Sequence, residues 1–112
     1  MAERKDDFSI GQMQSMQQAL QERYRDKWEG VAPAIGQNKL LWMIGETGEV
    51  IDVIKQNGSG PIMEDPAIRA HFVEEMADVL MYYNDVLLCF DVSPEELKQA
   101  YTEKFRRNMT RW

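Results

Sequence analysis

Two stretches decide the fold, KLLWMIGETGEV at residues 39–50 and EEMADVLMYYND at residues 74–85. Each sets two acids three residues apart inside an apolar run: Glu46 with Glu49, and Glu75 with Asp78. Residues three apart lie on one face of an α-helix, so each pair presents two carboxylates in one direction. Carboxylates beside core positions repel one another and resist the loss of water. Four of them so placed call for a positive counterpart. A hard divalent cation with oxygen ligands is the natural one.

Outward from these stretches the chain reads as four helices, with no strand-like alternation, repeat or low-complexity segment. The first is predicted over residues 10–28. Ser9 and Gln12 form a capping box, Phe8 and Met13 a staple, and Met13, Met16, Leu20 and Tyr24 an apolar stripe. Gly30 and Pro33 break it. The second is predicted over residues 34–56 and stops at Asn57-Gly58, followed by a loop, GSGPIME, at residues 58–64. Asp65 as cap and Pro66 at the first position start a third helix over residues 66–90. Ser93, Pro94 and Glu96 start a fourth over residues 94–111, with Val92 and Leu97 as its staple. Short connections between four helices predict a single all-α domain over residues 1–112, a four-helix antiparallel bundle-like arrangement.

On the second helix the period places Leu40, Met43, Ile44, Thr47, Val50, Ile51 and Ile54 on one face. Glu46 and Glu49 fall beside that stripe, in the sector of Trp42 and Val53. The third helix carries a broad apolar face around Phe72, Met76, Leu80 and Leu87, then a sector of His71, Glu75, Asp78, Tyr82 and Asp85. Beyond it Ala77, Met81 and Leu88 form another apolar sector. A helix apolar on two sides predicts a homo-oligomer. Gly45 and Gly48 interleave with the acids at a cost in helix propensity. Either they permit tight helix packing or they make room for a metal or phosphate. The methionines follow the apolar faces as core filling.

The composition excludes several functions. No apolar run is long enough to span a membrane. The start, MAERKDDF, lacks a signal-peptide apolar region. One cysteine, Cys89, allows no internal disulfide and fits a reducing, cytoplasmic compartment. A net charge of −6 argues against nucleic-acid backbones as partners. It does not argue against a small anion, because bound metal inverts the local field. A di-iron carboxylate bundle is disfavoured, since the chain has one histidine, His71, and no Glu-x-x-His. The non-enzymatic alternative is a helical interaction or oligomerisation module with an acidic cluster.

The paired motifs E46-T-G-E49 and E75-M-A-D78 resemble the ExxE…ExxD signature of the MazG-like nucleotide pyrophosphohydrolases, in the all-α NTP pyrophosphatase superfamily. The surrounding residues 39–50 and 74–85 are similar to that family's two acidic helices, and K104-F-R-R-N-M-T-R111 resembles its closing segment. Gly45 departs from the pattern, since many members carry Glu there. The resemblance implies Mg²⁺-dependent hydrolysis of a nucleoside triphosphate, (d)NTP plus water to (d)NMP and pyrophosphate, with Mn²⁺ as a substitute. It also implies a house-cleaning role and assembly as a homodimer or homotetramer. By carry-over Glu46, Glu49, Glu75 and Asp78 are the metal ligands and catalytic acids.

Supporting residues follow from their positions. Tyr82 and Trp42 share the acidic sectors and are candidates for substrate binding. Lys104 and Asn108, one turn apart on the fourth helix and flanked by Arg107 and Arg111, are candidate phosphate or base contacts. Asp85 continues the acidic line as an acid near the helix end. Lys39 and Lys55 read as solvated lysines, and His71 as structural or exposed.

Overall fold

The computed structural model describes residues 7–112; residues 1–6, which hold most of the stretch read for a signal sequence, lie outside them. The described residues form five α-helices and no strand. These are α1 (Ile10–Arg23), α2 (Gly36–Asn57), α3 (Ser59–Glu64), α4 (Pro66–Cys89) and α5 (Pro94–Arg111), with a 3₁₀ turn at Pro33–Ile35 before α2.

The local signals act as their chemistry requires. Ser9 Oγ accepts from the Gln12 amide at 3.1 Å, and Gln12 Oε1 accepts from the Ser9 amide at 2.7 Å. Asp65 accepts from the Ala67 and Ile68 amides at 2.9 and 3.3 Å, ahead of Pro66. Ser93 caps α5 through the Glu96 amide at 3.1 Å. Gly58 takes φ +79, ending α2 in a conformation other residues rarely adopt. Asp91 closes α4 at φ 54, with the Val92 amide reaching back to the Leu87 carbonyl at 2.9 Å.

Three expectations change. The first helix ends at Arg23, not near residue 28. Beyond Arg23 the chain turns, with the Lys27 and Trp28 amides both donating to the Tyr24 carbonyl. The Tyr24 and Trp28 rings stack at 4.7 Å across this turn. The expected loop at residues 58–64 contains α3, whose Ile62 is buried. Finally, the helices do not form a four-helix bundle within one chain.

Instead α2 and α4 pair along their length, with Gly36 against the Phe90 ring at one end and Glu46 beside Asp78 further along, so they run antiparallel. A Cβ on Gly36 would lie 2.2 Å from that ring, so the approach depends on glycine. α1 lies on α4, and α3 braces both long helices. α5 packs on none of them at length; its first turns only share a groove with Ile10 and Tyr83.

The buried faces differ from those the apolar pattern selects. On α2 the inward line is Gly36, Lys39, Glu46, Val50 and Val53, while Leu40, Ile44, Ile51 and Ile54 are exposed. On α1 the buried line is Gln14, Gln17 and Gln21, and Met16 of the expected stripe is exposed. Among the described residues only five apolar ones are buried (Val50, Val53, Ile62, Leu87 and Cys89), so the core they form is thin.

Candidate functional site

The pairing of α2 with α4 turns the two acidic pairs toward each other. One oxygen from each of Glu46, Glu75 and Asp78 lies within 4.8 Å of the others, and all three side chains are half-buried. Glu49 is exposed, but its carboxyl interacts with both Glu46 and Glu75. Gly45 and Gly48 have no atom within 4 Å of where a Cβ would stand, so neither serves close packing within the chain.

The electrostatics of this crowding are legible in the carboxyls themselves. Burial, and then Glu49, Asp78 and Glu75, push Glu46 above the usual carboxylate range. Burial likewise raises Glu75, helped by Glu49 and Asp78, while His71 at 3.9 Å opposes the shift. Glu75 Oε2 is buried and has no hydrogen-bond partner. An orphaned buried acceptor in a group of like charges is what a cation would satisfy. The donors are all hard oxygens, as Mg²⁺ or Mn²⁺ prefers. Oxygens sharing one Mg²⁺ at about 2.1 Å stand at most about 4.2 Å apart, so small side-chain movements would complete the set.

A cavity of about 480 Å³ opens beside the acids, with Glu46 and Asp78 on its wall. That volume is in the range of small-molecule sites. Trp28, Trp42 and Tyr82 line it with flat apolar surface. The Trp42 and Tyr82 rings are near-parallel, 12° apart with centroids separated by 6.3 Å. Burial and then Glu46, Asp85, Asp78 and Glu49 hold the Tyr82 phenol above its ordinary pKa, so it faces the site as a hydroxyl donor.

The far wall is polar and buried. Asp85 is 4% exposed and accepts from Gln17 Nε2 at 2.9 Å and Gln21 Nε2 at 3.3 Å. Lys39 is 6% exposed and pairs with Glu29 at 3.7 Å. It is therefore not the solvated lysine its position suggested. This wall explains why α1 turns glutamines inward: a buried carboxylate needs donors, and an apolar stripe offers none. The signal was present in the spacing of Gln14, Gln17 and Gln21, which repeats as one helical face.

Among the expected substrate contacts, Trp42 and Tyr82 line the cavity, whereas Lys104 and Asn108 do not. Those two lie on α5, Lys104 exposed and Asn108 half-buried with its Oδ1 unpartnered. His71 is exposed, and no described helix is long and apolar enough to cross a membrane. Residues 36–110, spanning both acidic stretches, match the family model described as the MazG nucleotide pyrophosphohydrolase domain. No curated protein and no solved structure matches the chain.

Proposed function

The chain belongs to the MazG nucleotide pyrophosphohydrolase domain family, and we propose that it cleaves nucleoside triphosphates between the α and β phosphates, giving monophosphate and pyrophosphate with Mg²⁺ as cofactor. The observation that carries this reading is the convergence of Glu46, Glu75 and Asp78 on one point at the mouth of a nucleotide-sized cavity.

Glu46, Glu75 and Asp78 would hold the metal, with Glu49 completing the set from the exposed side. Held by these carboxylates, Mg²⁺ would offset the charge of the triphosphate and of the departing pyrophosphate. The four acids cannot accept a triphosphate unaided, because like charge would repel it. Glu49, the most solvent-open of them, would orient the attacking water and take its proton. Trp42 offers the base a face to stack on, and the Tyr82 hydroxyl a donor to sugar or phosphate. Cleavage of noncanonical or surplus nucleotides is the house-cleaning role that fits such a site.

The test is a panel of ribo- and deoxyribonucleoside triphosphates with Mg²⁺ or Mn²⁺, read by product identity. Equal yields of monophosphate and pyrophosphate, abolished by excess EDTA, are expected. Orthophosphate released stepwise through a diphosphate would overturn the reading. Absence of both turnover and metal binding would favour a helical interaction module instead.

A further inference from the structure

The buried wall of the cavity has a hydrogen-bonding polarity that the acids do not explain. Both glutamine amides donate to the same oxygen, Asp85 Oδ1. Among the described residues no donor reaches Asp85 Oδ2. Gln21 is 7% exposed, and its Oε1 has no partner. Both residues line the cavity. Two acceptors free of protein donors therefore lie on one wall, and the buried one, Gln21 Oε1, is costly to leave unfilled.

The ligand that satisfies them carries two hydrogens on one nitrogen. Resting on the pyrophosphohydrolase reading, a nucleotide with its phosphates at Glu46 and Asp78 would place its base between those acids and this wall. An exocyclic amino group fills two acceptors at once. A carbonyl in the same position would set its lone pairs against theirs.

We propose that Asp85, held by Gln17 and Gln21, reads the exocyclic amino group of the substrate's base, so that amino-bearing bases are favoured over their carbonyl counterparts. Asp85 is then a specificity residue outside the metal set. An Asp85→Asn substitution keeps an oxygen for the two glutamines and turns the other position from acceptor to donor.

The experiment compares kcat/KM for dCTP against dUTP, and for ATP against ITP, in wild type and Asp85→Asn. Each pair exchanges an amino group for a carbonyl at one position. Wild type is expected to favour the amino base at least ~10-fold, the scale of one hydrogen bond to a charged group. The substitution is expected to erase or invert that ratio for both pairs. Equal kcat/KM within each pair in wild type would overturn the proposal while leaving the pyrophosphohydrolase reading intact. So would a folded Asp85→Asn protein with the wild-type ratio. A metal-free readout separates the two failures: quenching of tryptophan fluorescence by CMP and by UMP. If no triphosphate is cleaved but CMP binds at least ~10-fold tighter than UMP, the base reading stands and the reaction does not. If both monophosphates bind equally, the base reading falls.

Discussion

Burial and crowding make Glu46 and Glu75 hold their protons more tightly than ordinary carboxyls. Both lie above the ordinary value of 4.5. A carboxyl raised by folding contributes stability that is full below that ordinary value and is lost as pH rises through the folded value. Metal-free protein should therefore lose melting temperature, relative to Glu46→Gln, as pH rises from about 4.5 through the raised values, and saturating Mg²⁺ should remove the difference. Parallel profiles for the two proteins would show that the crowding is not felt. Asp78→Asn removes one charge from the same group while nearly keeping its shape. Without metal it should be as stable as wild type or more so, and its melting temperature should rise less with Mg²⁺. Its activity should fall at least ~100-fold, the scale of a lost preorganised electrostatic contact. An unfolded variant would make Asp78 structural.

Among the helices, α4 carries two of the four facing acids, Glu75 and Asp78, and four of the twelve residues that line the cavity, and its start depends on one side chain. Asp65 satisfies two of the orphan amides of its first turn. Asp65→Ala should cost about 1 kcal/mol of stability. Chemical denaturation would show it as a lower midpoint with an unchanged slope. That cap, like Ser9 and Ser93, was legible in sequence because capping is local chemistry. So were α2 and α4, whose apolar period is sustained over several turns. The orientation of the faces was not legible. Periodicity assigns the apolar side of α2 to the core, yet Leu40, Ile44, Ile51 and Ile54 face outward while Glu46 and Lys39 face in. Periodicity finds the apolar face of a helix, not the face that its own chain covers. The contact of Asp85 with Gln17 and Gln21 was missed for another reason: a polar helix face, even one as regular as Gln14, Gln17 and Gln21, reads as solvated until its partner is seen. α3 escaped because Gly58, Gly60 and Pro61 mark a turn as readily as a short helix.

The whole molecule is too open for a monomer of its size. It exposes 8940 Å² at 13.1 kDa, where a compact monomer would expose about 6400 Å². Its radius of gyration is 16.5 Å, against about 13 Å for a compact domain of this length. The excess area is on the order of what an obligate interface buries. We therefore propose that Ile44, Ile51 and Ile54 of α2 meet a second copy, with α5 gaining there the partner it lacks in one chain. Sedimentation should give a dimer or larger for wild type, and Ile51→Asp should shift it toward a less stable monomer. A 13.1 kDa monomer for wild type at micromolar concentration would contradict the assembly. Cleavage of a triphosphate at its α–β bond by the facing acids of α2 and α4 has a more direct test. Phosphorus NMR can follow one nucleoside triphosphate with Mg²⁺, in parallel with wild type and with Asp78→Asn. Monophosphate and pyrophosphate are expected to appear together in equal amounts with wild type, and at least ~100-fold more slowly with the variant. A transient diphosphate with orthophosphate, or equal rates for the two proteins, would contradict it.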